Sequence, residues 1–419
     1  MRAELGVLAT TGAIQAVIQG IGFISGLLVI WLLPVDQFAY YTIAAATLGS
    51  LVVLADCGIV QSVLAHGGRV WQQPASLGGV VRCALALRWR LSLVSLVIAL
   101  PVLFLLLQHR GASIAIALAT TASIIPMFLF SVPGQVHEAV LRLNQRLTDL
   151  QMAQLTGAGL RLVLSIAAIS ALPLAWIAHL GAGLGQMWQS RRARHLSKPL
   201  ADDTATPDPD VRNGMTRHVQ RTAPSAIYFA LSGQLSIWLL AILGRTESVA
   251  EVGALGRLAM AFNLLAAIIG MVYLPRFARM RTGAGAGVLA AYWKVQCGLA
   301  ALMALVVGVT ALLPDLVLLF LGPRYAQLQH EVVLSVGGGA LALLAGTAFN
   351  MSASRGHVPS PWAMVPFAVL VQVGLVFVLP VSTARGVLWL GLLFSLALWA
   401  FNAIHFTLLA SSRSRPDPA

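Results

Sequence analysis

Long apolar runs, each about as long as a bilayer crossing, alternate along the chain with short polar joins. A spanning helix needs about 20 mainly apolar residues. Twelve stretches qualify: 10–33, 38–64, 84–107, 112–132, 148–171, 173–189, 219–243, 250–274, 287–313, 328–351, 361–381 and 386–410. Only Leu172 and Pro173 separate the fifth from the sixth. Between the sixth and seventh, SRRARHLSKPLADDTATPDPDVRNG is rich in Pro, Asp and Arg and lacks apolar periodicity, so 191–218 reads as a cytoplasmic linker. The pattern predicts an all-α membrane protein of about 12 transmembrane helices, with 1–190 and 219–419 as two six-helix lobes.

Twelve crossings return both termini to one side. That side collects 21 of the 27 Lys and Arg residues, Arg88 and Arg142 among them. The opposite side holds only Arg110, Arg245, Arg324 and Arg385, and Arg161 and Arg257 remain inside helices. Positive residues accumulate in cytoplasmic loops, so the bias puts both termini in the cytoplasm.

The nonapeptide SGLLVIWLL at 25–33 returns as SGQLSIWLL at 232–240, identical at seven of nine positions. Six crossings separate the two copies. Because six is even, both halves would insert with the same orientation, as a parallel internal repeat enclosing a central cavity. Trp31 and Trp238 fall near the outer ends of their segments, where an amphipathic ring belongs at the headgroup level.

Composition agrees with the pattern. Hydrophobic residues make up 58% of the chain and charged residues 10%, against about 25% charged in soluble domains; mean hydropathy is +0.84. A net charge of +13 would suggest nucleic acid in a soluble protein, but here it follows from the cytoplasmic loops, and no nucleic-acid partner is expected. Cys57, Cys83 and Cys297 have no pairing or ligand spacing and read as reduced packing residues. The first apolar run lacks a small-residue cleavage site and reads as a retained helix. No G-x-x-x-x-G-K-[ST], H-E-x-x-H or G-x-S-x-G occurs, and most outer loops are only a few residues long. Neither an enzyme, a cofactor nor a metal site is expected.

Polar residues inside the crossings are few. Arg161 sits near the middle of the fifth, in AGLRLVLSIAAIS. An arginine at that depth costs about 2.5–3.5 kcal/mol on insertion scales, so it should face a partner or a wet cavity. Both roles stay open for it. Arg257, about 10 Å into the eighth segment, can snorkel to the outer surface. Asp56, in LADCGIVQS, is the one carboxylate well inside a predicted crossing. Pairing with an arginine, proton coupling and an interfacial position are all compatible with it, and a structural or gating role fits best. Gln15 and Gln19 share a helix face with Gly22 and Gly26, and the seventh segment carries Arg221, Ser225, Ser232 and Ser236 with Tyr228 beside them. Such faces usually serve helix packing. They lie on the two helices the repeat makes equivalent, which raises a shared cavity lining to an equal reading. Arg217 and His218 join Arg221 in a basic cytoplasmic mouth.

Several of these stretches resemble the polysaccharide-biosynthesis flippases, the lipid-linked oligosaccharide exporters of the multidrug/oligosaccharidyl-lipid/polysaccharide exporter superfamily. The resemblance runs through WLLPVDQFAYYTIAAATLGSL and through LADCGIVQSVLAHGGR, whose Asp56 and Gly58 match a D-x-G element. It continues in LRLNQRLTDLQMAQLTGAGLRLVLSI, with Arg142, Arg146 and Arg161, and more weakly in YLPRFARM (Pro275, Arg276) and NMSASRGH (Asn350, Arg355, Gly356). It implies two lobes around a cationic cavity, in the cytoplasmic (inner) membrane of a bacterium. It also implies transport of undecaprenyl-diphosphate-linked oligosaccharide to the outer leaflet by alternating access, for exopolysaccharide synthesis. Substrate contacts would then fall on Arg161, Arg257, Gln15, Gln19, Arg221, Ser225 and Tyr228, with Asp56 gating or coupling. Partners would be the lipid-linked glycan and membrane lipids, with an ion gradient, a polysaccharide polymerase and other export proteins as further candidates. A cation-coupled drug or metabolite antiporter of the same superfamily is the alternative, and would call for a deeply buried carboxylate in the first lobe. A membrane glycan polymerase is the third reading.

Overall fold

Every predicted crossing is helical in the computed structural model, which describes residues 2–202, 208–259, 261–278, 280, 285–355 and 359–412. Gly356 and the side chains of Pro275 and Arg276 lie outside the described residues. Packing divides the chain into two compact units, Met1–Ile242 and Leu243–Ala419.

The first unit holds α1 (Arg2–Leu32), α2 (Val35–Asp56), α3 (Ile59–Gly67), α4 (Pro74–His109), α5 (Ile114–Leu143), α6 (Leu147–Ala171), α7 (Ala175–Ser197), α8 (Pro209–Ser232) and α9 (Leu235–Leu243). The second holds α10 (Thr246–Ala259), α11 (Phe262–Ala278), α12 (Gly285–Leu312), α13 (Pro314–Leu318), α14 (Gln329–Ser354), α15 (Pro361–Val378) and α16 (Ala384–Ser412). The helices outnumber the predicted crossings because α2/α3, α8/α9 and α10/α11 are each one crossing broken in two, and α13 is a short extra turn. By length and composition, 10 helices among the described residues can cross a bilayer, or 11 if the α8–α9 pair, bent by 48°, counts as one.

The polar join between the lobes is shorter than its composition suggests. α7 runs on to Ser197, and α8 starts at Pro209, where proline suits the first helical position and the Asp208 carboxylate accepts from the Asp210 amide at 2.9 Å. The repeat assigns α8 to the second half, yet α8 packs on α2, α3 and α4. The Ser50 hydroxyl donates to the Ala230 carbonyl at 2.9 Å and the Thr222 hydroxyl to the Cys57 carbonyl at 2.6 Å.

Glycines let α5, α6 and α7 approach closely. A Cβ on Gly181 would lie 2.8 Å from the Ser165 Cα, and one on Gly185 2.7 Å from the Arg161 Cα. Small residues are what membrane helices use for such contacts. They also explain why α7, polar at its C-terminal end, need not be apolar throughout: two neighbouring helices cover it. In the second unit α14 is the hub, touching α10, α11, α12 and α16, and Tyr292 stacks on Phe406 at 4.3 Å.

Three expectations change. Arg88, counted with the cytoplasmic charges near the end of the 84–107 crossing, is fully buried within α4. Cys297 is exposed on α12, whereas Cys57 and Cys83 are buried. Glu138, outside the predicted crossings, is a buried carboxylate within α5, whereas Asp56 is only half-buried.

Candidate functional site

The D-x-G element marks the break between α2 and α3. Cys57 (φ 41°) and Gly58 (φ 83°) both adopt left-handed backbone, which costs most residues about 1–2 kcal/mol and glycine little. Asp56 holds the new helix start: its carboxylate accepts from the Gly58 amide at 3.3 Å and the Val60 amide at 3.1 Å. Gly58 also admits α8, since a Cβ there would lie 2.8 Å from the Thr222 hydroxyl. The other carboxylate oxygen contact of Asp56 is ionic, 3.8 Å from the Arg88 guanidinium.

From that pair a charged network runs inward. Arg88 also donates to the Gln135 side-chain carbonyl of α5. Its Nε is buried without a hydrogen-bond partner among the described residues. Glu138, one helical turn beyond Gln135, is the second negative charge acting on Arg88. Two amides clamp it, Gln189 of α7 at 2.8 Å and Gln154 of α6 at 3.0 Å, and Arg142 approaches at 3.7 Å. Two acids and two arginines therefore balance, which is how membrane proteins keep intramembrane charge. The sequence does carry a signal for this site: Val132, Val136 and Val140 continue the apolar face past Pro133 at four-residue spacing, and all three are buried.

Arg161 is half-buried on α6. Its charge acts on the Tyr41 phenol of α2, and the Tyr41 ring stacks on His179 of α7 at 4.6 Å. It thus faces helices of its own unit. Among the described residues no carboxylate pairs with it.

The other predicted residues are more scattered. Gln15 and Gln19 are half-buried on α1; on α8, Arg221 is exposed while Ser225 and Tyr228 are half-buried. Tyr228 is hydrogen-bonded to Ser232. Among the described residues no hydrogen bond or ion pair joins Gln15 or Gln19 to Arg161, Arg221, Ser225 or Tyr228. Arg257, in the second unit, is half-buried and engaged by its surroundings. Beside it Gly256 lines a cavity of about 380 Å³ between α10, α11 and α14, where Asn263, Thr347 and Asn350 supply the polar groups. Arg355 is structural: it donates to the Phe277 and Met280 carbonyls at 3.0 and 3.1 Å, satisfying the end of α11.

No protein-family model matches the chain, and no curated protein matches it. Solved structures do. A multidrug resistance MATE family transporter of the MOP superfamily in its inward-facing conformation superposes with a TM-score of 0.73 at 17% identity, covering 94% of this chain and 94% of that one. An outward-facing conformation of such a transporter gives 0.61 at 16% identity, covering 98% and 96%. A MATE structure in the straight conformation gives 0.65 at 17% identity, covering 98% and 96%. The chain has the fold of the MATE transporters.

Proposed function

We propose that the chain is a flippase that carries an undecaprenyl-diphosphate-linked oligosaccharide from the cytoplasmic to the outer leaflet of a bacterial inner membrane by alternating access. The observation that supports it most is Arg161, a mid-membrane arginine turned into its own unit with no acidic partner among the described residues. A diphosphate cannot cross hydrocarbon uncompensated, and arginine keeps its charge when desolvated while gripping phosphate oxygens in pairs. The polyprenyl tail can stay in lipid throughout. A fold whose relatives adopt inward- and outward-facing forms supplies the motion, and the amides and hydroxyl of the second-unit cavity suit sugars. On this reading the 1–190 and 219–419 halves act as two lobes, and glycan polymerase and export proteins receive the product.

A cation-coupled antiporter is the second reading. Glu138 favours it as a buried carboxylate of the first unit. Two experiments separate the readings. If the gene is deleted, a flippase leaves lipid-linked glycan on the cytoplasmic leaflet, whereas an antiporter leaves its leaflet distribution unchanged. Arg161→Ala should abolish export at normal protein levels while Arg257→Lys is tolerated; full export by Arg161→Ala removes that residue from the site.

A further inference from the structure

A groove of about 570 Å³ lies between α4 and the start of α8, wholly within the first unit, and neither Arg161 nor the buried network opens on it. Arg82 and Arg90 of α4 and Arg212 of α8 line it, with Asn213 and Thr216 as hydrogen-bonding neighbours. All three arginines are exposed. Among the described residues neither Arg90 nor Arg212 forms an ion pair. Asp208, the acid at the start of α8, lines the neighbouring groove beside His66 and Arg69, and its charge also reaches Cys83 of this one. Arg82 is engaged by its surroundings, so the excess positive charge is carried by Arg90 and Arg212.

What adjoins the groove sets its level in the membrane. Trp89, next to Arg90, is 43% exposed, as an amphipathic ring at the headgroup boundary would be. From Arg90 onward the same α4 face is bare and apolar: Leu93 is 65%, Val97 67% and Leu105 63% exposed. At 1.5 Å per residue this stripe runs about 22 Å from Arg90, longer than the roughly 15 Å of one hydrocarbon leaflet. A positively charged cup therefore sits at the head of a lipid-facing track long enough for an acyl chain.

We propose that this groove holds the headgroup of an anionic, phosphate-bearing membrane lipid, with an acyl chain laid along the Leu93–Val97–Leu105 face of α4. Charge complementarity selects the phosphate, and continuity with the apolar track selects a lipid over a free anion. Such a resident lipid would brace the start of α8 against α4. The inference does not depend on what the protein transports.

The full chain, purified in mild detergent and titrated with cardiolipin, tests it by native mass spectrometry. One cardiolipin should stay bound when bulk lipid is stripped away. Arg90→Gln with Arg212→Gln should weaken it by about 25-fold, roughly fivefold per charge near the surface, while Arg69→Gln, outside the groove, leaves it unchanged. Leu93→Ser with Val97→Ser should weaken cardiolipin but not inorganic pyrophosphate. Unchanged cardiolipin affinity in the double arginine variant, with an unshifted melting temperature, overturns the proposal. So does pyrophosphate binding as tightly as cardiolipin, which would make the groove a soluble-anion site.

Discussion

Asp56→Asn tests the charge that the structure gives Asp56. Asparagine keeps one acceptor oxygen, enough for the Val60 amide at 3.1 Å, gives up the weaker bond from the Gly58 amide at 3.3 Å, and removes the charge facing Arg88. The pair is 3.8 Å apart, so at an effective dielectric of about 20 the attraction lost is about 4 kcal/mol. Asp56 is 26% exposed and water offsets part of that loss, whereas Arg88 is 0% exposed and cannot be rehydrated in place. The expected destabilisation is about 2–4 kcal/mol. Replacing both partners should be far milder, because an apolar side chain of similar length removes the stranded charge; Asp56→Asn with Arg88→Met should recover most of the loss. A thermal melt in detergent, read by a thiol-reactive fluorophore, makes the comparison. It needs a Cys297→Ser background, since Cys297 is exposed and would react at once, while Cys57 and Cys83 are buried and report unfolding. The single variant should melt several degrees lower and the double variant close to the parent. Should the double variant lose the sum of the two single losses, the residues are uncoupled and the electrostatic account of the α2–α3 break is wrong.

Three further outcomes follow from the geometry. Gly58→Ala combines a φ of 83° with a Cβ 2.8 Å from the Thr222 hydroxyl, so it should cost about 1–3 kcal/mol in the same melt, with Thr222→Ala relieving the hydroxyl contact but neither the φ nor the 3.2 Å approach of the residue 222 Cβ. Gly185→Ala, whose Cβ would meet the Arg161 backbone at 2.7 Å, should cut the yield of monodisperse protein on size exclusion; Gly183→Ala, with its nearest atom at 3.5 Å, should not. Burial pushes the Tyr325 phenol, in the join before α14, up to about 12 from 10.0. The folded chain then keeps a proton that the unfolded chain releases, so this contribution is whole below pH 10 and is lost as pH rises through about 12. Tyr325→Phe should flatten that limb of the stability profile.

Crossings were legible in the sequence because apolar length is a one-dimensional property that lipid imposes directly. What the pattern could not carry is which polar residues the helices bury among themselves. Glu138 looks like a loop charge when α5 is cut to 112–132, but α5 runs on to Leu143, and Arg88, inside 84–107, lies near enough its end to pass for a cytoplasmic charge. The extra turns of α5 bring Glu138 to charges from other helices. Arg161 was legible for the opposite reason: an isolated charge within an apolar run has no local explanation.

The repeated nonapeptide shows where local sequence stops deciding. In α1, SGLLVIWLL stays helical to Leu32, whereas at SGQLSIWLL the helix ends at Ser232 and restarts at Leu235 after a bend of 48°. Both copies contain the Ser-Gly pair at which helices kink, so the pair alone does not bend the chain. The copies differ at two positions, Gln234 for Leu27 and Ser236 for Val29; the first falls at the break itself, and a glutamine amide in hydrocarbon must find cover. Gln234 lies against α2, its amide nitrogen 3.3 Å from where a Gly49 Cβ would stand. Gly49 leaves room for that contact and the Ser-Gly pair lets the helix yield to it. The bend therefore belongs to α8 together with α2, and a reading of either segment alone misses it.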